Sequence, residues 1–151
     1  MNKIHIIISE ISEPECRELV QHLKSTIRDY DPALKVTMHR SSLWLSTRKG
    51  HFRLIYSRCR FIETDNRHLI FHYEDKIIRK SGKISDILEK LPSDIFFRCN
   101  NSYIVNLHHI SKISPEGDRY NIHLRSGEIL PLSRSRYQDC LVSLGISTPL
   151  S

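Results

Sequence analysis

Three short polar stretches carry the side chains best suited to chemistry: Asp65-Asn66-Arg67-His68, Asn100-Asn101-Ser102 and Ser133-Arg134-Ser135-Arg136. The chemistry they suit is recognition. An arginine fork fits guanine O6 and N7, and an asparagine amide, which both donates and accepts, fits adenine N6 and N7. Arg134 and Arg136 stand just before a helical pattern, where free backbone N–H groups add to them for a phosphate. Each stretch alone also reads as an ordinary solvated turn, because Asn and Ser side chains bond their own backbone. Three of them in one basic chain point jointly to DNA. Lys and Arg number 23 against 17 Asp and Glu, a formal net charge of +6, which favours polyanions through counterion release.

Catalysis finds less support. The chain has only 5 glycines and no GxGxxG, P-loop or GxSxG pattern. Cys99 with His108 and His109 nearby in sequence suggests a thiol nucleophile, but an inert thiol is the commoner reading of such a residue. His72 and His123 fall at strand positions, as partly buried structural histidines do. Cys16, Cys59, Cys99 and Cys140 form no CxxC or Cys/His ligand pair, so free thiols are expected rather than zinc. No enzyme activity and no cofactor are expected. No apolar run approaches the roughly 18 residues of a spanning helix. The short apolar start after Met1 is too brief for a signal peptide, so a cytoplasmic protein is expected.

The elements that must position these stretches are mostly strands. Lys3 to Ile8 is a β-branched run. Ser12-Glu13-Pro14-Glu15 is a helix start with a capping residue, and Cys16, Leu19, Val20, Leu23 and Ile27 then share a helical face until Asp31-Pro32 stops it. This strand and helix resemble the start of a receiver domain, but no acidic pair follows the strand to hold magnesium, so no phosphoacceptor is expected. Strands are predicted around Val36, Trp44, Phe52, Phe61, Ile70 and Ile77. Turns fall at Arg48-Lys49-Gly50, Asp65-Asn66 and Glu74-Asp75. Ile84, Ile87, Leu88 and Leu91 predict a short helix stopped by Pro92. Ile110 to Ser114 and Arg119 to Leu124 flank a hairpin signal, Pro115-Glu116-Gly117-Asp118. Ser126-Gly127 feeds Ile129 to Leu132, where Pro131 marks a sheet edge. Tyr137, Cys140, Leu141 and Leu144 make a last helical face closed by Gly145. Between the flanks Phe96-Phe97 and Tyr103-Ile104-Val105, strands hold the second polar stretch out as a tip.

The run FFRCNNSYIVNLHHISKI, Phe96 to Ile113, resembles the signature of the LytTR family of bacterial DNA-binding domains: an aromatic pair, Arg, a polar pair ending in Ser, apolar residues, Val-Asn and an Ile-rich strand. Arg60-Phe61-Ile62-Glu63 is similar to the family's opening strand, with Arg58 where an acidic residue is usual. The resemblance runs from about Leu54 to Leu144. It implies an α+β, mainly antiparallel β fold, an elongated sheet domain with short helices over residues 46–145. Residues 1–45 then form a strand–helix appendage in place of a receiver, and 146–151 a tail. It implies a bacterial, response regulator-like transcription regulator that bends duplex DNA and reads it with loops in the major groove. The contacting positions carry over to Arg67 or His68, to Asn101 and to Arg134, with Ser102 and Arg136 beside them. Asn106 matches the motif too, but beside buried Val105 it reads as structural, satisfying strand-end backbone groups. Some members pair the motif cysteine with a second one. Here the strand entering Arg134 is Ile129-Leu130-Pro131-Leu132, which speaks against a redox switch at Cys99. Double-stranded DNA with direct repeats, two copies or a homodimer, and a restraining membrane protein are the partners the resemblance implies. The competing reading is a protein-interaction module whose helix Ser12 to Tyr30 docks a partner, with the basic charge serving solubility.

Overall fold

β-branched and aromatic runs, punctuated by Asn, Gly and Pro, form most of the secondary structure. The computed structural model describes residues 3–8, 13–30 and 35–146. They fall into two units that divide between Leu43 and Trp44.

In the first unit, β1 (Lys3–Ile8) leads to α1 (Glu13–Tyr30) and β2 (Lys35–Arg40). β1 and β2 pair in parallel, with Lys3 opposite Lys35 and Ile8 opposite Arg40. Parallel neighbours need a crossover, and α1 is that crossover. Its apolar face keeps Val20, Leu23 and Ile27 half-buried. The Ser12 cap and the Asp31-Pro32 stop lie outside the described residues.

The second unit begins within β3 (Ser42–Thr47), which forms a hairpin with β4 (Gly50–Ile55). A five-stranded antiparallel sheet follows, ordered β7-β6-β5-β9-β8. Its strands are β5 (Cys59–Asp65), β6 (His68–Tyr73), β7 (Lys76–Ser81), β8 (Phe96–Arg98) and β9 (Tyr103–Asn106). A second antiparallel sheet, β10-β11-β12, comprises Ile110–Glu116, Arg119–Leu124 and Ile129–Leu132. Pro131 sits on edge strand β12, opposite Asn121, where a missing N–H costs no ladder bond.

Successive residues of a strand face opposite sides of a sheet. Phe61 and Ile62 are both buried, as are Ile104 and Val105, so the five-stranded sheet is covered on both faces. Helix α2 (Ile84–Lys90) packs against β9 and buries Ile84 and Ile87. On the other face Phe61, Val105 and Cys99 share one cluster with Ile122, Leu130, Leu132 and, from α3 (Tyr137–Ser143), Cys140. Arg60 Nε donates to Glu128 Oε1 at 2.9 Å, joining β5 to the turn before β12. Burial alone would raise the Glu128 carboxyl, but the Ser126 hydroxyl, its own backbone N–H and the Arg60 guanidinium hold it below its usual range. The architecture is α+β and mainly antiparallel, as the sequence predicts.

Candidate nucleic-acid interface

All three polar stretches fall at ends of these strands, and backbone hydrogen bonds connect them in series. The first is the β5–β6 hairpin, where Asp65 opposes His68 and only Asn66 and Arg67 make the turn. Asn66 takes φ 57°, the left-handed region that Asn tolerates better than most residues. The second is the β8–β9 connection, and Thr64 N donates to Ser102 O at 2.9 Å, which sets it beside the first. The third follows β12, and Ser133 N donates to Cys99 O at 2.9 Å. The second stretch is therefore flanked by the other two.

Most of the polar capacity at this edge is used to fix the loops. The Asn100 amide donates to Pro131 O at 2.5 Å, and its Oδ1 accepts from Ser102 N at 2.7 Å, an Asx turn. Arg98 spreads its fork under the tip, with Nε to Asn100 O at 3.3 Å and Nη2 to Asn101 O at 2.9 Å. Both are positioning residues: Asn100 bonds its own backbone as the sequence predicts for an Asn in a turn, while Arg98 enters the sequence analysis only as a motif residue. The Asn-x-Ser spacing was the available signal for the Asx turn. Arg98, two residues before the tip, had no comparable local signal.

Asn106 is fully buried and anchors the other end of β9. Its Nδ2 donates to Tyr56 O and Cys59 O, each at 2.9 Å, and its Oδ1 accepts from His108 N at 2.9 Å. The two carbonyls flank the 3₁₀ turn between β4 and β5, and the N–H opens the one after β9. The structural role expected from the sequence is the role observed.

The remaining side chains are left facing solvent. Arg67, His68, Asn101, Ser102 and Arg134 are all exposed. Arg67, His68 and Arg134 make no side-chain hydrogen bond or ion pair with another described residue. Arg136 has a partner within the protein. It is half-buried and turns its Nη1 toward Asn101 Oδ1 at 3.4 Å, because the 3₁₀ turn Arg134–Arg136 carries it back over the second loop. The Asn101 oxygen keeps a second lone pair and its Nδ2 keeps both protons.

The thiol chemistry weighed from the sequence has no place here. Cys99 is fully buried, and burial first, with the nearby Cys140 thiol adding to it, pushes its pKa up to about 12. A thiolate nucleophile is disfavoured there. His109 Nε2 lies 2.7 Å from Ser57 O instead. His72 pairs with Glu63 at 3.3 Å and stacks on Phe61, and His123 Nε2 lies 2.7 Å from Ser114 Oγ. Among the described residues no group of three or more His, Cys, Asp or Glu could hold a metal ion, and no helix is long and apolar enough to cross a membrane.

Comparison with known proteins bears on the family and the fold. The chain is 26% identical over 87 residues to the sensory transduction protein LytT of Enterococcus faecalis (strain ATCC 700802 / V583), which covers 57% of this chain but only 36% of that relative. A solved structure from Bacillus cereus, described as the LytTr DNA-binding domain of a methyl-accepting/DNA response regulator, superposes with a TM-score of 0.61 at 26% identity. That match covers 70% of this chain and 98% of the other. The LytTr DNA-binding domain model matches residues 49–142, more than half of the sequence, and the chain belongs to that family.

Proposed function

We propose that this protein is a sequence-specific, duplex-DNA-binding transcription regulator whose three loops read base edges in the major groove. One observation carries the reading: the loops share a hydrogen-bonded edge on which Arg67, His68, Asn101 and Arg134 are presented with little or no internal pairing. Rigid posts with unpaired tips are what direct readout requires, since tips already bonded within the protein would have to break those bonds to reach a base.

Asn101 addresses an adenine through Nδ2 and the free lone pair of Oδ1, with Arg136 orienting the amide from behind. Arg134 addresses a guanine through its fork. Arg67 or His68 makes the third contact, and Ser102 lies at the tip beside Asn101. Two copies on direct repeats would supply the length of site that three short loops cannot cover alone. The test is selection of bound duplexes from a random pool, followed by binding of Asn101→Ala and Arg134→Ala to the consensus and to its single-base variants. Each variant should lose discrimination at one base pair. Equal loss at every sequence would remove the reading role and leave a phosphate clamp.

A further inference from the structure

Outside the three loops, a cleft of about 460 Å³ opens between the β3–β4 hairpin and the β6–β7 pair. Arg48, Lys49 and His51 line it from one side, and His68, Arg79 and Lys80 from the other, with no acidic residue in the lining. Its floor includes Ile77, which is 64% exposed, and the half-buried Phe52. Two of the four Lys and Arg side chains are already engaged. Arg79 pairs with Asp65 at 3.1 Å, and Lys80 Nζ donates to Ser46 O at 2.8 Å, which pins the hairpin to β7. Arg48 and Lys49 at the hairpin tip have no ion-pair or side-chain hydrogen-bond partner among the described residues.

The tip is held rather than loose. Thr47 Oγ1 donates to Gly50 O at 3.0 Å and accepts from Lys49 N at 3.2 Å. Gly50 supplies the φ of +117° that closes the turn. Two cations on a fixed arm beside an exposed apolar floor match a nucleic-acid backbone, whose charged phosphates alternate with apolar deoxyribose faces. His68 belongs both to this cleft and to the first reading loop, so the two surfaces are continuous.

The opposite flank is different. The cleft of about 600 Å³ beside Asn100 and Arg134 is lined by Glu116 and Asp118 as well as Arg119. Those carboxylates would repel a phosphate.

We infer that the Arg48–Lys49 hairpin is a phosphate clamp that grips the DNA backbone beyond the first loop, so that the footprint of each domain extends on that side and not past the third loop. This rests on the loop-reading function proposed above. It assigns to the β3–β4 arm a sequence-independent contribution to affinity.

The test uses the full chain and a duplex selected by the wild type, with binding measured across a salt series and by phosphate-ethylation interference. Arg48→Gln with Lys49→Gln should lower the slope of log affinity against log salt by about two, one ion per lost phosphate contact. The ranking of single-base variants should not change, and interference should vanish on one flank only. The exchange Arg48→Lys with Lys49→Arg should restore the slope, because a phosphate is satisfied by either charge. An unchanged slope and interference pattern, with specific wild-type binding intact, overturns the clamp and leaves the reading loops standing. Altered base preference in the double Gln variant also overturns it. A wild type that selects no sequence refutes the loop reading, and the clamp with it.

Discussion

Replacing Asn106 by Ala should be the most damaging single polar substitution in the second unit. The side chain is at 0% exposure and makes three hydrogen bonds of 2.9 Å, to Tyr56 O, Cys59 O and His108 N. Alanine strips the amide's bonds from Cys59 O and His108 N and one of two from Tyr56 O, which also accepts from Cys59 N, and it leaves a void at a fully buried position. Each buried group stripped of its partner costs about 1–3 kcal/mol. Tyr56 O keeps one donor and His108 lies toward solvent, so a total of about 2–5 kcal/mol is expected. For a domain of this size that lowers the melting temperature by about 10 °C or more. The control is Asn101→Ala, the same chemical change at an exposed tip, which should move stability by no more than about 0.5 kcal/mol. Asn106→Asp separates loss of donors from loss of volume. It keeps an acceptor for His108 N but sets a carboxyl against two carbonyl oxygens. Ionisation is then disfavoured in the folded state only, raising the folded pKa above the unfolded one, so this variant should lose stability as pH rises through the ordinary carboxylate range. Urea and thermal unfolding of the three variants decide the matter. If Asn106→Ala unfolds within about 1 kcal/mol of the wild type, the three bonds are not holding the two 3₁₀ turns in place.

Other outcomes follow from the same contacts. Asn101→Ala should weaken specific DNA binding by about 1–3 kcal/mol with the fold intact, read by anisotropy on the selected site. Arg136→Ala should relax the same base pair as Asn101→Ala, and the double variant should be less than additive, with a coupling of about 0.5 kcal/mol or more; strict additivity would dissociate the two residues. Arg134→Ala should relax a different base pair by about 1–3 kcal/mol, and Arg134→Lys should rescue it only partly, since an ammonium lacks the planar fork. Cys59, Cys99 and Cys140, all buried, should resist alkylation until the protein unfolds, as mass spectrometry of pulse-labelled protein would show. Burial raises the Cys99 pKa from 9.0 to about 12, so the folded and unfolded states hold this proton equally below pH 9. Above it the unfolded chain releases a proton that the folded one keeps, and stability falls as pH climbs; an unchanged urea midpoint across that range would contradict the burial.

Local signals in the sequence are legible where one or two residues decide the backbone. Asn66 at the first hairpin, Pro131 on an edge strand and Gly145 at φ 73° after α3 each do what their chemistry dictates. Signals that depend on distant partners were not legible. Phe61 and Ile62 are both buried because two different layers cover β5, so the simple in–out alternation of a one-sided sheet is absent there. The parallel pairing of β1 with β2 links residues more than thirty positions apart, from Lys3 opposite Lys35 onward. No local rule says that the turn before α3 sets Arg136 against Asn101. That α3 brings the free thiol of Cys140 into the same cluster as Cys99 is likewise a matter of distant packing.

The placement of polar groups separates two tasks in one small domain. Asn100, Arg98 and Asn106 hold the loops and strand ends through paired hydrogen bonds. The side chains of Arg67, His68 and Arg134 bond no other described residue, which leaves them for the base contacts proposed above. Only Asn101 stands between the classes, since Arg136 touches its oxygen while its amide protons face outward. If these side chains read bases as proposed, substitutions there change which sequence is bound at little cost to folding. Substitutions at the paired positions disturb every loop at once, because the second loop is bonded to both of its neighbours. At Asn101 the two effects are coupled, so a change of base preference there will depend on whether residue 136 can orient the new side chain.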